Sequence, residues 1–277
     1  MIKSVLLKIG RFAWRITPWA PLRKFGYATL LRVLRGRRQV ATAHGIAFDL
    51  DLSESIDAAI FLEGYEKDVR AAIDRHCVRG ASVLDVGANV GAHALYLAKK
   101  VGSSGRVYAF EPAPYGFSKL TRNIALNDLH NIEALNLALS DRDFEKTVTL
   151  RSSWRTDGKR LEERSLVRFV TMDRWCASER VDRIDLIKLD VDGGEFAVLL
   201  GGAQIIAHQH PKIILEVGAW HFERESTNPL TFLRRLGYGF EDAGTGARFS
   251  DIECIRTRLP RSDPQMTFSI NVVAQRS

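Results

Sequence analysis

From about residue 80 onward the chain alternates short apolar runs with stretches of helical periodicity. Residues 82–86, 107–110, 131–139, 186–189 and 211–217 are rich in aliphatic and β-branched side chains and show little polar alternation. That pattern marks strands buried on both faces of a parallel sheet. Residues 93–101, 112–127, 195–207 and the stretch up to Leu236 carry the spacing of helices that connect such strands. Strand and helix in regular succession predict an α/β chain with a doubly wound sheet. Residues 238–241 and 267–274 supply the last two strands.

Upstream, Ile46 to Leu52 alternates apolar and acidic side chains, as a half-exposed strand does. Residues 57–76 read as helical, broken at Gly64 and closed by Gly80; Glu66 and Asp68 near the start of the second part favour a helix's positive end. Residues 147–151 form a short strand. Residues 151–165 are polar and irregular, with Trp154 as the single aromatic, and predict a mobile loop. An extended run at 167–172 leads to Asp173, a cap for a short helix. Residues 221–228 read as a polar loop.

The first 35 residues differ from the rest. On a helical wheel at about 100° per residue, Ile2, Val5, Leu6, Ile9, Phe12, Ala13 and Ile16 share one face. Lys3, Lys8, Arg11 and Arg15 lie on the other. Such a helix can lie on an anionic membrane surface; equally, its apolar face can dock on the body or on a partner subunit. No stretch approaches the roughly 20 apolar residues of a spanning helix, and charges interrupt any signal-peptide core. Pro18 and Pro21 end it, and a second short helix follows over 24–34. The expected division is therefore a basic helical extension over 1–45 and one ligand-binding domain over 46–277.

Composition changes this picture in two ways. The chain of 277 residues is 45% hydrophobic and 26% charged, an ordinary globular balance. Its net charge of +7 is unevenly placed: residues 1–48 hold ten of the 40 Lys and Arg and none of the 33 Asp and Glu. The remainder then carries 30 basic against 33 acidic residues. Basicity belongs to the extension, whereas a nucleic-acid enzyme spreads it around its cleft; nucleic acid is not an expected partner. Cys77, Cys176 and Cys254 form no C-x-x-C pair, which argues against disulfides or zinc and suits a reducing cytosol. The expected location is cytoplasmic, with peripheral contact at the inner membrane face through residues 2–35 as the membrane-bound variant.

The chemistry concentrates at Asp85-Val86-Gly87-Ala88-Asn89-Val90-Gly91, a strand end, a tight turn and a helix start. Asp85 stands at the carboxyl end of a strand, where open α/β sheets bind ligands. Gly87 permits a tight turn and a close ligand approach; Gly91 clears space for helix packing. A dinucleotide fingerprint would need glycine at position 89, and Asn89 is there. An acid two residues before the first glycine suits a ligand with an ammonium or sulfonium better than a pyrophosphate. That tilts the cofactor from NAD towards S-adenosylmethionine. Glu111 follows Gly87 by 24 residues at the tip of the second strand, where an acid hydrogen-bonds ribose hydroxyls.

Three motifs in order, Asp85–Gly91, Ala109-Phe110-Glu111-Pro112 and Ile187-Lys188-Leu189-Asp190-Val191-Asp192-Gly193, resemble the FkbM-type S-adenosylmethionine-dependent methyltransferases. Glu195, Leu199-Leu200-Gly201-Gly202 and the stretch from Pro211 to Glu216 extend the likeness over roughly residues 60–220. The family's turn after the fourth strand usually reads D-V-E-G; here Asp192 shortens that acid by one methylene. The resemblance implies a class I, Rossmann-like methyltransferase fold: a doubly wound seven-stranded sheet, last strand antiparallel, carrying the N-terminal helical extension. It also implies O-methylation of a small-molecule or glycan acceptor such as a sugar, glycolipid or polyketide-type product.

Site residues follow strand by strand. Asp85, Gly87, Asn89 and Gly91 would surround the methionine moiety, Glu111 the ribose, and Ser140, at the end of the third strand, the adenine. Asp190, at the tip of the fourth strand, would bind the cofactor's amino group, act as base or hold a cation. Lys188, a charge inside a buried run, needs a partner or a lowered pKa; it is either catalytic or paired with an acid on an adjacent strand. His221 is a base candidate by titration range, or an idle, exposed loop histidine. Asp192 and Glu195 would serve as turn and helix-start residues. Asp190, Asp192 and Glu216 could ligate a metal, but paired acids at strand tips also arise as caps, and no metal is expected. An NAD-dependent oxidoreductase and a catalytically silent, membrane-docked binding protein stand as alternatives; oligomerisation is open.

Overall fold

A computed structural model describes residues 36–157, 159–259 and 269–276. The two basic helices expected over 2–34 lie outside the described residues. Contacts divide the chain into two compact units: Met1–Tyr65 with Leu150–Glu163, and Glu66–Thr149 with Arg164–Ser277.

In the first unit, β1 (Arg38–Ala43) and β2 (Ile46–Asp51) form an antiparallel hairpin, with Ala43 opposite Ile46. His44 and Gly45 both take positive φ, 51° and 74°. That is the two-residue turn whose twist suits a hairpin. The alternation in β2 holds: Ile46, Phe48 and Leu50 are buried. The expected division at residue 45 falls in this turn, because Arg-Gln-Val-Ala-Thr-Ala carries no apolar alternation to announce β1. Helix α1 (Ser55–Phe61) follows, burying Ala58 and Phe61.

The second unit is the sheet and its helices. Its strands are β3 (Ser82–Val86), β4 (Arg106–Phe110), β5 (Ile132–Leu135), β9 (Leu186–Leu189), β10 (Lys212–Gly218), β11 (Tyr238–Asp242), β12 (Arg248–Phe249) and β13 (Ser269–Arg276). They lie in the order β12-β11-β13-β10-β9-β3-β4-β5. The five from β5 to β10 run parallel, and β13 is antiparallel to both of its neighbours, β10 and β11. This is the class I methyltransferase arrangement, with the two-residue β12 added at one edge. The helices are α2 (Lys67–His76), α3 (Ala92–Val101), α4 (Pro114–Ala125), α5 (Met172–Ser178), α6 (Glu195–Gly201), α7 (Ala203–Gln209), α8 (Pro229–Arg235) and α9 (Ile252–Arg258). Leu84, Val86, Phe110, Ile187, Leu189, Ile213, Leu215 and Val217 are buried. Such strands read as unbroken apolar runs because no side chain faces water. No helix among the described residues is long and apolar enough to cross a membrane.

Two expectations change. The run at 131–139 is two strands: β5 ends at Leu135, and β6 (Ala138–Leu139) pairs with β8 (Arg160–Val170) in a separate three-stranded sheet. Residues 151–165 are not an irregular loop. They belong to β7 (Phe144–Trp154) and β8, joined by a turn that the Arg155 N–H closes onto the Lys159 carbonyl. Glu145, Lys146, Thr147 and Thr149 of β7 are exposed. A strand held by its backbone ladder and wet on its faces leaves no hydrophobic period to read.

Candidate functional site

The parallel register places Asp85 of β3 beside Lys188 of β9. Both are buried at the sheet's centre. The Lys188 Nζ lies 3.0 Å from Asp190 Oδ2 and 3.7 Å from Asp85 Oδ1, and donates to the Gly87 carbonyl at 3.2 Å. Burial alone would lower the Lys188 pKa; the Asp190 and Asp85 carboxylates outweigh it and hold the ammonium above its ordinary range. Lys188 is thus paired with an acid on an adjacent strand, one of the two expectations its position raised. Burial pushes Asp85 up, with partial relief from Lys188. Neither Asp85 oxygen accepts a hydrogen bond.

The turn after β3 is shaped by close approach. A Cβ on Gly87, at φ 85°, would stand 1.8 Å from the Asp190 carbonyl oxygen. One on Gly91 would meet Leu95 and Leu120 at 2.5 and 2.7 Å, where α3 and α4 close on each other. Asn89 takes a left-handed φ of 48°. This aims its N–H at Glu111 Oε2, 2.7 Å away, and leaves its own Oδ1 buried without a partner.

Glu111 accepts a second N–H, from Ala113 at 2.8 Å. Burial pushes its carboxyl up to about 7, against the pull of those two donors. Gly116 of α4 makes room for it: a Cβ there would lie 3.0 Å from the carboxyl carbon. A glycine in a helix's first turn is the local signal of this close contact.

Ser140 is not at the tip of the third sheet strand. It follows β6, donates to Asp141 Oδ1 at 3.3 Å, and presses its carbonyl on Gly201, where a Cβ would be 1.9 Å away. The residue after β5 is Asn136, whose amide donates to the carbonyls of Glu111 (2.9 Å) and Pro112 (3.2 Å). The break after Leu135 moved the tip by four residues.

The exit of β9 gathers the remaining groups. Asp192 takes φ 55° and Gly193 φ 109°. Oxygens of Asp190, Asp192 and Glu216 come within 4.8 Å of one another, so this trio could hold a metal ion. Glu216 accepts a short hydrogen bond from the Ser269 hydroxyl, and its Oε2 is buried without a hydrogen-bond partner. Burial and then the neighbouring Asp190 push its carboxyl up to about 8.

His221 is not an exposed loop base. It is buried in a 3-10 turn, Ala219–Phe222, with Nε2 2.8 Å from Glu195 Oε2. Its Nδ1 accepts from the Gly218 N–H at 3.2 Å, and the Trp220 indole N–H points at the same Nε2 from 3.1 Å. Glu195 starts α6 as expected and is fully buried. Burial alone would raise its pKa; His221 and the Val191 N–H outweigh that and hold it low.

One pair escaped the sequence reading as a pair. His93, buried at the start of α3, bonds Glu66 at 2.7 Å. Glu66 itself is held at φ 31°. Both act electrostatically on Asp85, and Glu66 acts on Lys188. Three strained residues, Glu66, Asn89 and Asp192, thus sit around one cluster, and such strain collects at functional sites. Carboxyls outnumber cations in this cluster, and buried acceptors on Asp85, Asn89 and Glu216 lack donors. That chemistry fits a ligand bearing an ammonium and a sulfonium.

The Methyltransferase FkbM domain model matches residues 85–240. Methyltransferase sdnD of Sordaria araneosa is 27% identical over 182 residues, covering 53% of this chain and 68% of that protein. The 2-O-methyltransferase NoeI of Sinorhizobium fredii is 30% identical over 147 residues, covering 45% of this chain and 58% of its own length. Among solved structures, M. jannaschii TYW2 in complex with AdoMet shares 16% identity at a TM-score of 0.45, covering 88% of each chain.

Proposed function

Because the chain belongs to the FkbM methyltransferase family, we propose that it methylates a hydroxyl group of a sugar, glycolipid or secondary metabolite. S-adenosylmethionine is the family's cofactor, and its sulfonium supplies an already activated methyl group. The protein's task is then to bind, align and manage one proton. Asp85, Gly87, Asn89 and Gly91 would line the methionine moiety, and Glu111 would take the ribose hydroxyls.

One observation carries the oxygen-acceptor reading: Asp190 stands at the tip of β9, fixed by Lys188 at 3.0 Å and beside Glu216. A neutral hydroxyl must lose its proton as its oxygen bonds to carbon, and Asp190 is the acceptor for that proton. Lys188 keeps the carboxylate in place. Holding the hydroxyl in line can be worth about 7–11 kcal/mol, and a base adds roughly 10²–10⁴-fold. NoeI, a 2-O-methyltransferase by name, supports the same acceptor atom.

The test is titration calorimetry with S-adenosylmethionine and its demethylated product, followed by transfer of a labelled methyl group to a panel of hydroxylated acceptors. Binding of both ligands and label in an ether linkage are expected. Failure to bind either ligand, or label found on nitrogen or carbon, overturns the proposal.

A further inference from the structure

We propose that Glu195 and His221 form a positioning pair that braces the tips of β9 and β10 and so sets how Asp190 and Glu216 face each other. The proposal rests on the methyltransferase reading for its readout in turnover, but its geometry stands apart from it.

The turn that carries Asp190 and Asp192 has no regular hydrogen bonding to keep its shape. Two consecutive left-handed residues, Asp192 and Gly193, send the chain back towards α6. One carboxylate oxygen holds this turn: Glu195 Oε1 accepts from Val191 N at 3.0 Å and from Gly193 N at 3.2 Å. An anion cupped by nearby backbone N–H groups is a strong local restraint. Its second oxygen meets His221 at 2.8 Å.

His221 arrives from the other strand. It follows β10, and the Gly218 N–H fixes its ring through Nδ1. Gly218 lies two residues after Glu216. Trp220 closes the same corner. Its ring folds onto Gly218, where a Cβ would stand 2.1 Å away, and reaches Gly193, where a Cβ would stand 3.8 Å away. The chain of contacts is therefore Asp190 turn, Glu195, His221, Gly218, Glu216. It ties two neighbouring strand tips whose side chains have to converge, and it does so without itself entering the acid trio.

A pair that merely filled the core would move stability and cofactor binding together. A positioning pair moves the chemical step. Displacements near 1 Å can cost on the order of 10²-fold in rate, so His221→Ala should lower kcat by roughly 10- to 100-fold. The dissociation constant for S-adenosylmethionine should stay within about twofold, as its site lies on β3 and β4. In an Asp190→Asn background His221→Ala should cost little more, since the group it positions is already lost. Glu195→Gln keeps an oxygen for the two N–H groups but as a weaker, uncharged acceptor, and it removes the carboxylate that meets His221. It should reproduce the direction of the His221→Ala effect, because it weakens the contact between the two side chains. Amide exchange at Val191 and Gly193 should quicken in both variants. This last readout needs no acceptor, so it separates failure of the brace from failure of the methyltransferase reading. Equal losses in kcat and cofactor affinity, full additivity with Asp190→Asn, or unchanged exchange at 191 and 193 would each overturn the proposal.

Discussion

Replacing Lys188 by methionine removes one charge from the centre of the sheet while nearly conserving volume. The ammonium is buried, and it is the ion-pair partner of the fully buried Asp85 and of Asp190. Without it, Asp85 keeps two oxygens that accept no hydrogen bond and loses its neutralising neighbour. Breaking a buried pair by deleting one partner costs about 3–5 kcal/mol. That exceeds a third of the stability of many domains. The penalty is pH-dependent, and its sign follows from Asp85. Its carboxyl is already raised by burial and would rise further without Lys188. Protonation removes the buried charge, so the penalty shrinks as pH falls through that raised value and is full above it. Lys188 itself is raised above its ordinary range, so in the unaltered protein its contribution is constant over pH 5–8. Urea unfolding at pH 5 and pH 8, read by circular dichroism, measures both effects. The double variant Asp85→Asn/Lys188→Met removes the stranded charge and should recover most of the loss. An unfolding free energy for Lys188→Met within about 1 kcal/mol of the parent at pH 8 would refute the reasoning, because a true buried pair cannot be broken so cheaply.

Four further outcomes are expected. Glu111→Gln should weaken S-adenosylmethionine binding by roughly 10- to 100-fold, the value of hydrogen bonds to a charged group. The unaltered protein should bind more tightly as pH rises through about 7, where Glu111 ionises; calorimetry from pH 6 to 8 tests this, and a slope that persists in the glutamine variant rejects it. Gly87→Ala pushes a methyl to 1.8 Å from the Asp190 carbonyl at a φ of 85°, so the turn must shift. About 1–3 kcal/mol of lost stability together with lost cofactor binding is expected, and near-parent values of both contradict it. A chelator should leave methyl transfer unchanged, because the Lys188 ammonium already neutralises Asp190. Loss of activity that magnesium or calcium restores would show the acid trio to be a metal site. Deleting residues 1–35 should abolish binding to anionic liposomes without changing cofactor affinity; no binding by the full chain removes the membrane reading.

Much of the sheet was legible. Strands β3, β4, β9 and β10 sit where unbroken apolar runs placed them, and the turn at Gly87 is tight as its spacing implied, although what approaches Gly87 is the Asp190 carbonyl. Glu111 and Asp190 do stand at strand tips, while Asp85 is the penultimate residue of β3, inside the sheet. The losses have physical causes. The strand expected over 147–151 is part of the longer β7, and its partner β8 begins within 151–165, where the polar sequence carries no hydrophobic period. Residues 136–137 break one apolar run into strands of two sheets, which moved the third tip from Ser140 to Asn136. Lys188 stands out in the sequence as a charge within a buried run and His221 as a base candidate, but their partners lie on other elements.

What the sequence determined by itself is local: the succession of strands and helices, the tight turn at Gly87, and the acids that follow β4 and β9. Period, turn chemistry and capping act over a few residues, so they can be read from a few residues. Only the tertiary structure decided the pairings. Lys188 meets Asp85, 103 positions away, because β9 lies beside β3 in parallel register. Glu195 meets His221 because neighbouring strand tips bring their exit turns together. Such contacts depend on sheet order and on a register exact to one residue. Neither leaves a trace in the spacing along the chain.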